Sequence, residues 1–162
     1  YGPDGIEKAK TDQWIDLIST EVSSYAKQLV LQVTGFVESE IRDFSKQANL
    51  FKERLTIFEQ HFKLRNFLVG YQLTLADVYL VTTLLSPFQL FVDKKTREQT
   101  FPNLNRFMVL NLQNFHFQKG FGKVQFCNKQ INPCFDLVFE KKKPAGAGGN
   151  DAKKDDKDSK KD

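Results

Sequence analysis

The chain has 162 residues, of which 40% are hydrophobic and 27% are charged, so it is long enough for one globular domain with a sizeable core. Its 16 phenylalanines predict a core or an interface rich in aromatic side chains. The formal charge is +4, but residues 141–162 hold eight lysines and five aspartates, a net of +3, which leaves only +1 for residues 1–140. A domain so close to neutral argues against a basic groove, and we expect no direct, specific binding of nucleic acid.

The cysteine and histidine content argues against a disulfide framework and against a metal centre. Cys127 and Cys134 are fewer than a small secreted domain normally uses, so we interpret them as inert free thiols in a reducing, cytoplasmic environment. Neither has a base at a spacing that would make it a nucleophile. His61 and His116 lack metal-ligand spacing, and we expect no metal and no cofactor.

The sequence has no signal peptide and no apolar run typical of a membrane span. Its longest apolar stretch, residues 73–92, is interrupted by polar residues and a proline and therefore predicts a core helix. The first residue is Tyr1 rather than Met, so we expect the sequence to be part of a longer protein.

Helical spacing of apolar residues predicts two helices before this stretch. The first has Thr11 or Asp12 as its N-cap, and the second covers roughly residues 37–68. The apolar residues recur at steps of three and four, with Trp14, Ile18, Val22, Tyr25 and Leu29 in the first helix and Phe51, Leu55, Phe58 and Phe62 in the second.

The third helix begins with "TLAD", which fits a capping box formed by Thr74 and Asp77. In this box the hydroxyl and the carboxylate satisfy backbone amides that the first turn leaves without partners. A buried carboxylate is tolerable when it is hydrogen-bonded in this way. We therefore favour a structural role for Asp77 over the alternative, a catalytic acid.

The remaining chain is less regular. Pro87 predicts that the third helix kinks or ends near Leu85. Residues 93–103 predict a polar connection, and Pro102 predicts the start of another helix. A short helix is expected near Asn114–Gly120, and after it an extended arm packed on the domain. No strand pattern is visible, so the predicted fold class is all-α.

The segment "FLVGYQLTLADVYL" resembles the "LVGxxxTLAD" segment of the all-helical C-terminal domain of glutathione transferases. The segment "TREQTFPNLNRFMVLNLQNFHFQKGFGKVQFC" is similar to the family of gamma subunits of translation elongation factor 1B. The resemblance implies a linker from a thioredoxin-like domain over residues 1–10 and a helical bundle over residues 11–140. Residues 141–162 contain no hydrophobe larger than alanine and predict a disordered, charged tail.

The resemblance implies a non-catalytic scaffold that anchors the alpha and beta exchange subunits of elongation factor 1B and acts indirectly on elongation factor 1A. The alternatives are the C-terminal half of a glutathione transferase and a docking domain of an aminoacyl-tRNA synthetase complex. By resemblance Arg106, with Arg97 and Phe107, belongs to a protein interface; an exposed or intramolecular pair is the alternative for Arg106. In a transferase an acceptor-substrate pocket would include Tyr25, Phe36, Phe88 and Phe91, for which we favour core packing.

Overall fold

The computed structural model describes residues 5–37 and 41–131, and within these ranges the regular structure is helical with no β-strand, which confirms the all-α prediction. The predicted disordered tail over residues 141–162 lies outside the described residues, as do residues 132–140, which include Cys134. The α-helices are α1 (Gly5–Leu17), α2 (Ser24–Val33), α3 (Ile41–Phe62), α4 (Leu75–Leu90), α5 (Lys94–Gln99), α6 (Pro102–Leu112) and α7 (Phe115–Phe121).

A π-helix, Ile18–Ser23, joins α1 to α2 without a break, so the chain is helical from residue 5 to residue 33. The predicted N-cap at Thr11 or Asp12 is wrong, because Thr11 lies buried inside α1 and its hydroxyl donates to the Glu7 carbonyl at 2.8 Å. Residues 5–10 are accordingly helical, as the first part of α1.

Helix α3 is shorter than predicted, and α4 is longer. The fully buried Phe51, Leu55, Phe58 and Phe62 form the inner face of α3 as their spacing indicates.

Helix α4 continues through Pro87 to Leu90, so the predicted break near Leu85 is wrong. Pro87 removes only the bond that its own amide would donate to the Thr83 carbonyl. The helix continues past it, and its own carbonyl accepts from the amides of Phe91 and Val92 at 3.0 and 2.9 Å.

Residues 93–103, predicted to be a polar connection, contain the six-residue helix α5, which was not predicted. Pro102 is the first residue of α6, as predicted, and α7 lies where a short helix was expected. After α7 the described residues 122–131, which we call the arm, pack back on α4: the amides of Cys127 and Ile131 donate to the carbonyls of Phe88 and Leu90 at 3.0 and 2.9 Å.

Aromatic side chains dominate the core, as the phenylalanine content predicts. Phe62 of α3 stacks on Phe107 of α6 with ring centroids 4.1 Å apart, and Phe91 lies edge-on to Phe51 at 5.5 Å. Helix α4 is central and packs against α1 and α2. None of the helices in the described part of the chain is both long and apolar enough to cross a bilayer.

Candidate functional site

Asp77 is the centre of a buried hydrogen-bond cluster at the start of α4. Thr74 is the N-cap, and its amide and its hydroxyl each donate to Asp77 Oδ2 at 2.8 Å. The amide of Leu68 donates to the other oxygen, Oδ1, also at 2.8 Å. The carboxylate is fully buried, and its two oxygens are occupied by three donors. The arrangement stabilises the helix start and keeps both carboxylate oxygens away from solvent.

Two opposing effects act on the ionised form of Asp77. Burial raises the pKa of this carboxyl, whereas the donors from Leu68 and Thr74 lower it. The contact of the Thr74 amide with the carboxylate belongs to the predicted capping box, and the contact of the hydroxyl with the carboxylate is additional to it. The contact with Leu68 joins the loop that precedes α4 to the helix itself, and no local sequence pattern indicates it, since the two residues are nine apart.

His61 contacts the same loop from the other side. Its Nε2 lies 3.1 Å from the Leu68 carbonyl, which assigns the proton to Nε2, and its ring packs edge-on against Trp14 with centroids 4.6 Å apart. Burial, and secondarily the charge of Arg65, lowers the pKa of His61. The Leu68 peptide is therefore bonded through its amide to Asp77 and through its carbonyl to His61.

A cleft of about 540 Å³ lies beside this peptide, between the beginning of α1, the end of α3 and the following loop. Leu64 and Tyr71 are 92% and 97% exposed, whereas Trp14 and His61 are half-buried. We name this feature the α1–α3 cleft, and its lining residues are Glu7, Lys10, Gln13, Trp14, His61, Leu64, Arg65, Leu68, Val69, Gly70 and Tyr71.

Arg97 and Phe107 are buried, so their predicted place in an interface is wrong. The guanidinium of Arg97 donates from one nitrogen to the carbonyls of Val92 and Cys127 at 2.5 and 2.7 Å and lies 5.1 Å from the ring centroid of Phe126. Arg97 therefore fastens the arm to the end of α4. Phe107 is 2% exposed because it fills the core against Phe62.

Arg106 makes an intramolecular contact. Its Nη2 donates to the carbonyl of Phe62, the last residue of α3, at 2.7 Å, and to the Arg65 carbonyl at 3.4 Å. In the opposite direction, the Glu59 carboxylate of α3 accepts from the amides of Asn103 and Leu104 at 3.1 and 2.8 Å. No pattern in the sequence indicates the role of Glu59, because its partners lie 44 and 45 residues away.

The residues considered for an acceptor-substrate pocket do not share one environment. Phe88 and Phe91 are fully buried in the core, Tyr25 is half-buried against it, and Phe36 is 81% exposed. Core packing is thus correct for Phe88 and Phe91 and wrong for Phe36.

Cys127 is half-buried, and its thiol donates to the Val92 carbonyl at 3.2 Å. Burial raises the pKa of this thiol, with Arg97 opposing the shift, so the thiolate form is disfavoured. Among residues 5–37 and 41–131, no three histidine, cysteine, aspartate or glutamate side chains come together as a metal site.

Comparison with known proteins places this geometry in a family. The family "Glutathione S-transferase, C-terminal domain" matches residues 26–110, slightly more than half of the chain. Elongation factor 1-gamma of Rattus norvegicus is 29% identical over 121 residues, which are 75% of this chain and 28% of that protein. The glutathione S-transferase-like protein FUS3 of Gibberella fujikuroi is 31% identical over 129 residues, 80% of this chain and 61% of that protein.

Solved structures agree on the fold. The GST-like domain of elongation factor 1-gamma from Saccharomyces cerevisiae superposes with a TM-score of 0.75 at 16% identity, covering 82% of this chain and 61% of that one. A poplar glutathione transferase F1 variant has a TM-score of 0.61 at 21% identity, over 74% and 56% of the two chains. The chain spans little more than a quarter of the elongation factor relatives it matches. Taken with the buried Thr74–Asp77 box, the match over residues 26–110 shows that the chain belongs to the glutathione S-transferase C-terminal domain family.

Proposed function

We propose that this chain is a protein-interaction domain of a gamma subunit of elongation factor 1B, which anchors the exchange subunits during cytoplasmic translation elongation. The observation that carries the proposal is the similarity to elongation factor 1-gamma over three quarters of the chain. The fold of the yeast elongation factor domain supports it. The action on elongation factor 1A is then indirect, through the exchange subunits.

The chemistry of the polar side chains is consistent with a non-catalytic role. Asp77 is fully buried and accepts from two backbone amides and one hydroxyl, and the thiol of Cys127 donates to a carbonyl and has a raised pKa. Asp77 bonds to the loop before α4, and Cys127 bonds to Val92 just after α4, so both groups hold neighbouring segments on this helix. A domain of this kind acts through its surface.

Isothermal titration calorimetry of the purified chain with the purified alpha and beta exchange subunits tests the proposal. We expect saturable binding to at least one of them, and none to an unrelated protein of similar size and charge. A chain that binds neither subunit, but binds an aminoacyl-tRNA synthetase, would contradict the proposal in favour of a synthetase docking domain.

A second candidate is the C-terminal half of a glutathione transferase, which the 31% identity to the transferase-like protein FUS3 favours. This candidate predicts that the longer protein conjugates glutathione to an electrophile. Assaying that longer protein for glutathione consumption separates the two candidates, because the scaffold proposal expects no turnover above the uncatalysed rate.

A further inference from the structure

We infer that the α1–α3 cleft is the face on which an acidic, amphipathic segment of an exchange subunit docks; this inference rests on the proposed function and assigns it a surface. The cleft has a volume of about 540 Å³ and is open to solvent beside the most exposed apolar side chains of the described residues. An exposed apolar patch with a polar rim is typical of a protein-interaction site.

The apolar part of the cleft contains the residue types that dominate binding energies. Tyr71 and Leu64 are almost fully exposed, and Trp14 lies between the cleft and the core, with its ring 5.6 Å from that of Phe58. Tryptophan, tyrosine and arginine are the residues most enriched in interface hot spots. The cleft contains all three types, since Arg65 also lines it. An apolar side chain of a partner could cover the aromatic surface of Trp14 and Tyr71.

The charges of the cleft select an acidic partner. Lys10 and Arg65 are its basic residues, Glu7 is its acidic residue, and none of the three forms an ion pair with another described residue. An ideal Cβ on Gly70 would lie only 3.1 Å from Glu7 Oε1, so the Glu7 carboxylate is close to the loop backbone. The excess of positive charge favours a carboxylate placed next to the apolar side chain of the partner.

The frame of the cleft is held in place before any partner binds. The Leu68 peptide is fixed by Asp77 and His61, and the end of α3 is fixed by Arg106. Because these contacts already order the loop and the helix end, binding loses less conformational entropy there. A second cleft of about 610 Å³ beside α6 and α7 has no tryptophan, tyrosine or arginine in its lining and is the weaker candidate.

Two double variants and two matched controls test the inference. Leu64→Ser with Tyr71→Ser removes the apolar surface, and Lys10→Glu with Arg65→Glu reverses the charge. Phe36→Ser with Val37→Ser and Lys27→Glu with Lys46→Glu make changes of the same kind and number at exposed positions away from the cleft. Circular dichroism first establishes that every variant is folded. Affinity is then measured at low and high salt for the exchange subunit, alpha or beta, that binds the wild-type chain more tightly.

We expect the apolar double variant to weaken binding roughly tenfold or more at both salt concentrations. The charge variant should weaken binding at low salt and much less at high salt, where the ionic contribution is screened. Both controls should remain near the wild-type affinity. In the unmodified chain, the exchange subunit should protect the amides of residues 69–71 from hydrogen exchange, whereas the Leu68 amide is already bonded to Asp77.

Each other result has a separate meaning. If the wild-type chain does not bind the exchange subunit, the proposed function fails and the docking inference fails with it. If the wild type binds and both cleft variants bind equally well, the proposed function stands and the assigned face is wrong. If the cleft variants abolish self-association of the chain in sedimentation experiments without changing the affinity for the subunit, a second copy occupies the cleft and the inference is overturned.

Discussion

Glu59 of α3 and Arg106 of α6 each bond to the end of the other's helix. The Glu59 carboxylate accepts from the first turn of α6, and Arg106 donates to the last carbonyl of α3 at 2.7 Å. Helix α6 is preceded by Phe101, a residue without a side-chain acceptor, so Glu59 provides the cap that the local sequence lacks. Both charges also have the sign that complements the helix dipole they face.

Glu59→Ala should lower the free energy of unfolding by about 1–3 kcal/mol, because two amides of α6 lose a charged acceptor. Arg106→Met should cost about 0.5–1.5 kcal/mol, since its side chain is more exposed. Urea denaturation of both single variants and the double variant would measure these values. Glu53→Ala, on the exposed face of α3, is the control and should change stability little; equal losses for Glu53→Ala and Glu59→Ala would contradict the capping role.

Asp77→Ala should lower the free energy of unfolding by about 1–3 kcal/mol, because the cap is lost and the amides of Leu68 and Thr74 are left buried without acceptors. Thermal and urea denaturation measure the loss. Asp93→Ala is the matched control, since Asp93 occupies the N-cap of α5 without a side-chain capping bond. A change no larger than that of Asp93→Ala would show that the Asp77 cluster does not stabilise the fold.

Arg97→Met should release the arm from α4, because the carbonyls of Val92 and Cys127 lose their charged donor. We expect faster hydrogen exchange at the amides of Cys127 and Ile131, together with a loss of about 1–3 kcal/mol in the free energy of unfolding. Lys94→Met, which removes an exposed cation from the same helix, is the control. Unchanged exchange in the arm of Arg97→Met would mean that the backbone bonds to Phe88 and Leu90 hold the arm without the guanidinium.

The lowered pKa of His61 predicts a pH dependence of stability. Below about pH 6.5 the unfolded state takes up a proton that the folded state binds only at lower pH. The contribution of His61 to the free energy of unfolding is therefore complete above about pH 6.5 and is lost as the pH falls through the lowered pKa.

His61→Gln should flatten the pH dependence of the unfolding free energy between about pH 7 and 5, since glutamine keeps a donor for the Leu68 carbonyl but does not titrate. Urea denaturation at several pH values measures the slope. The same substitution at the exposed His116 is the control and should keep the wild-type slope. Identical slopes for wild type and His61→Gln would exclude His61 as the group responsible.

Local patterns predicted the elements that depend on neighbours in sequence. The spacing of Phe51, Leu55, Phe58 and Phe62 identified a buried helix face, and Thr74 with Asp77 identified the start of α4. These predictions succeed because a helix brings residues three and four apart together whatever the rest of the fold does.

The contacts that were missed join residues far apart in the chain. Leu68, Glu59 and Arg97 bond to partners that are 9, 44 and 30 residues away, and no periodicity connects such positions. Helix α5 was missed because its six residues, KKTREQ, contain no apolar residue and hence no helical pattern. Arg97 and Phe107 were assigned to the surface from a resemblance, whereas the arm and α3 enclose them.

The π-helix at Ile18–Ser23 has a consequence for how the length of this chain can vary. A π-turn accommodates one residue more than an α-helix would use over the same distance. Deleting one of the exposed residues of this segment, Ser19 or Thr20, would let it close as ordinary α-helix and leave α1 and α2 in their present orientations, whereas deleting the buried Ile18 or Val22 would remove a core side chain. The same deletion inside α2 would rotate the following residues by about 100° and turn Leu29 away from the core. A one-residue deletion in the first helical segment should therefore be tolerated at the exposed part of this turn.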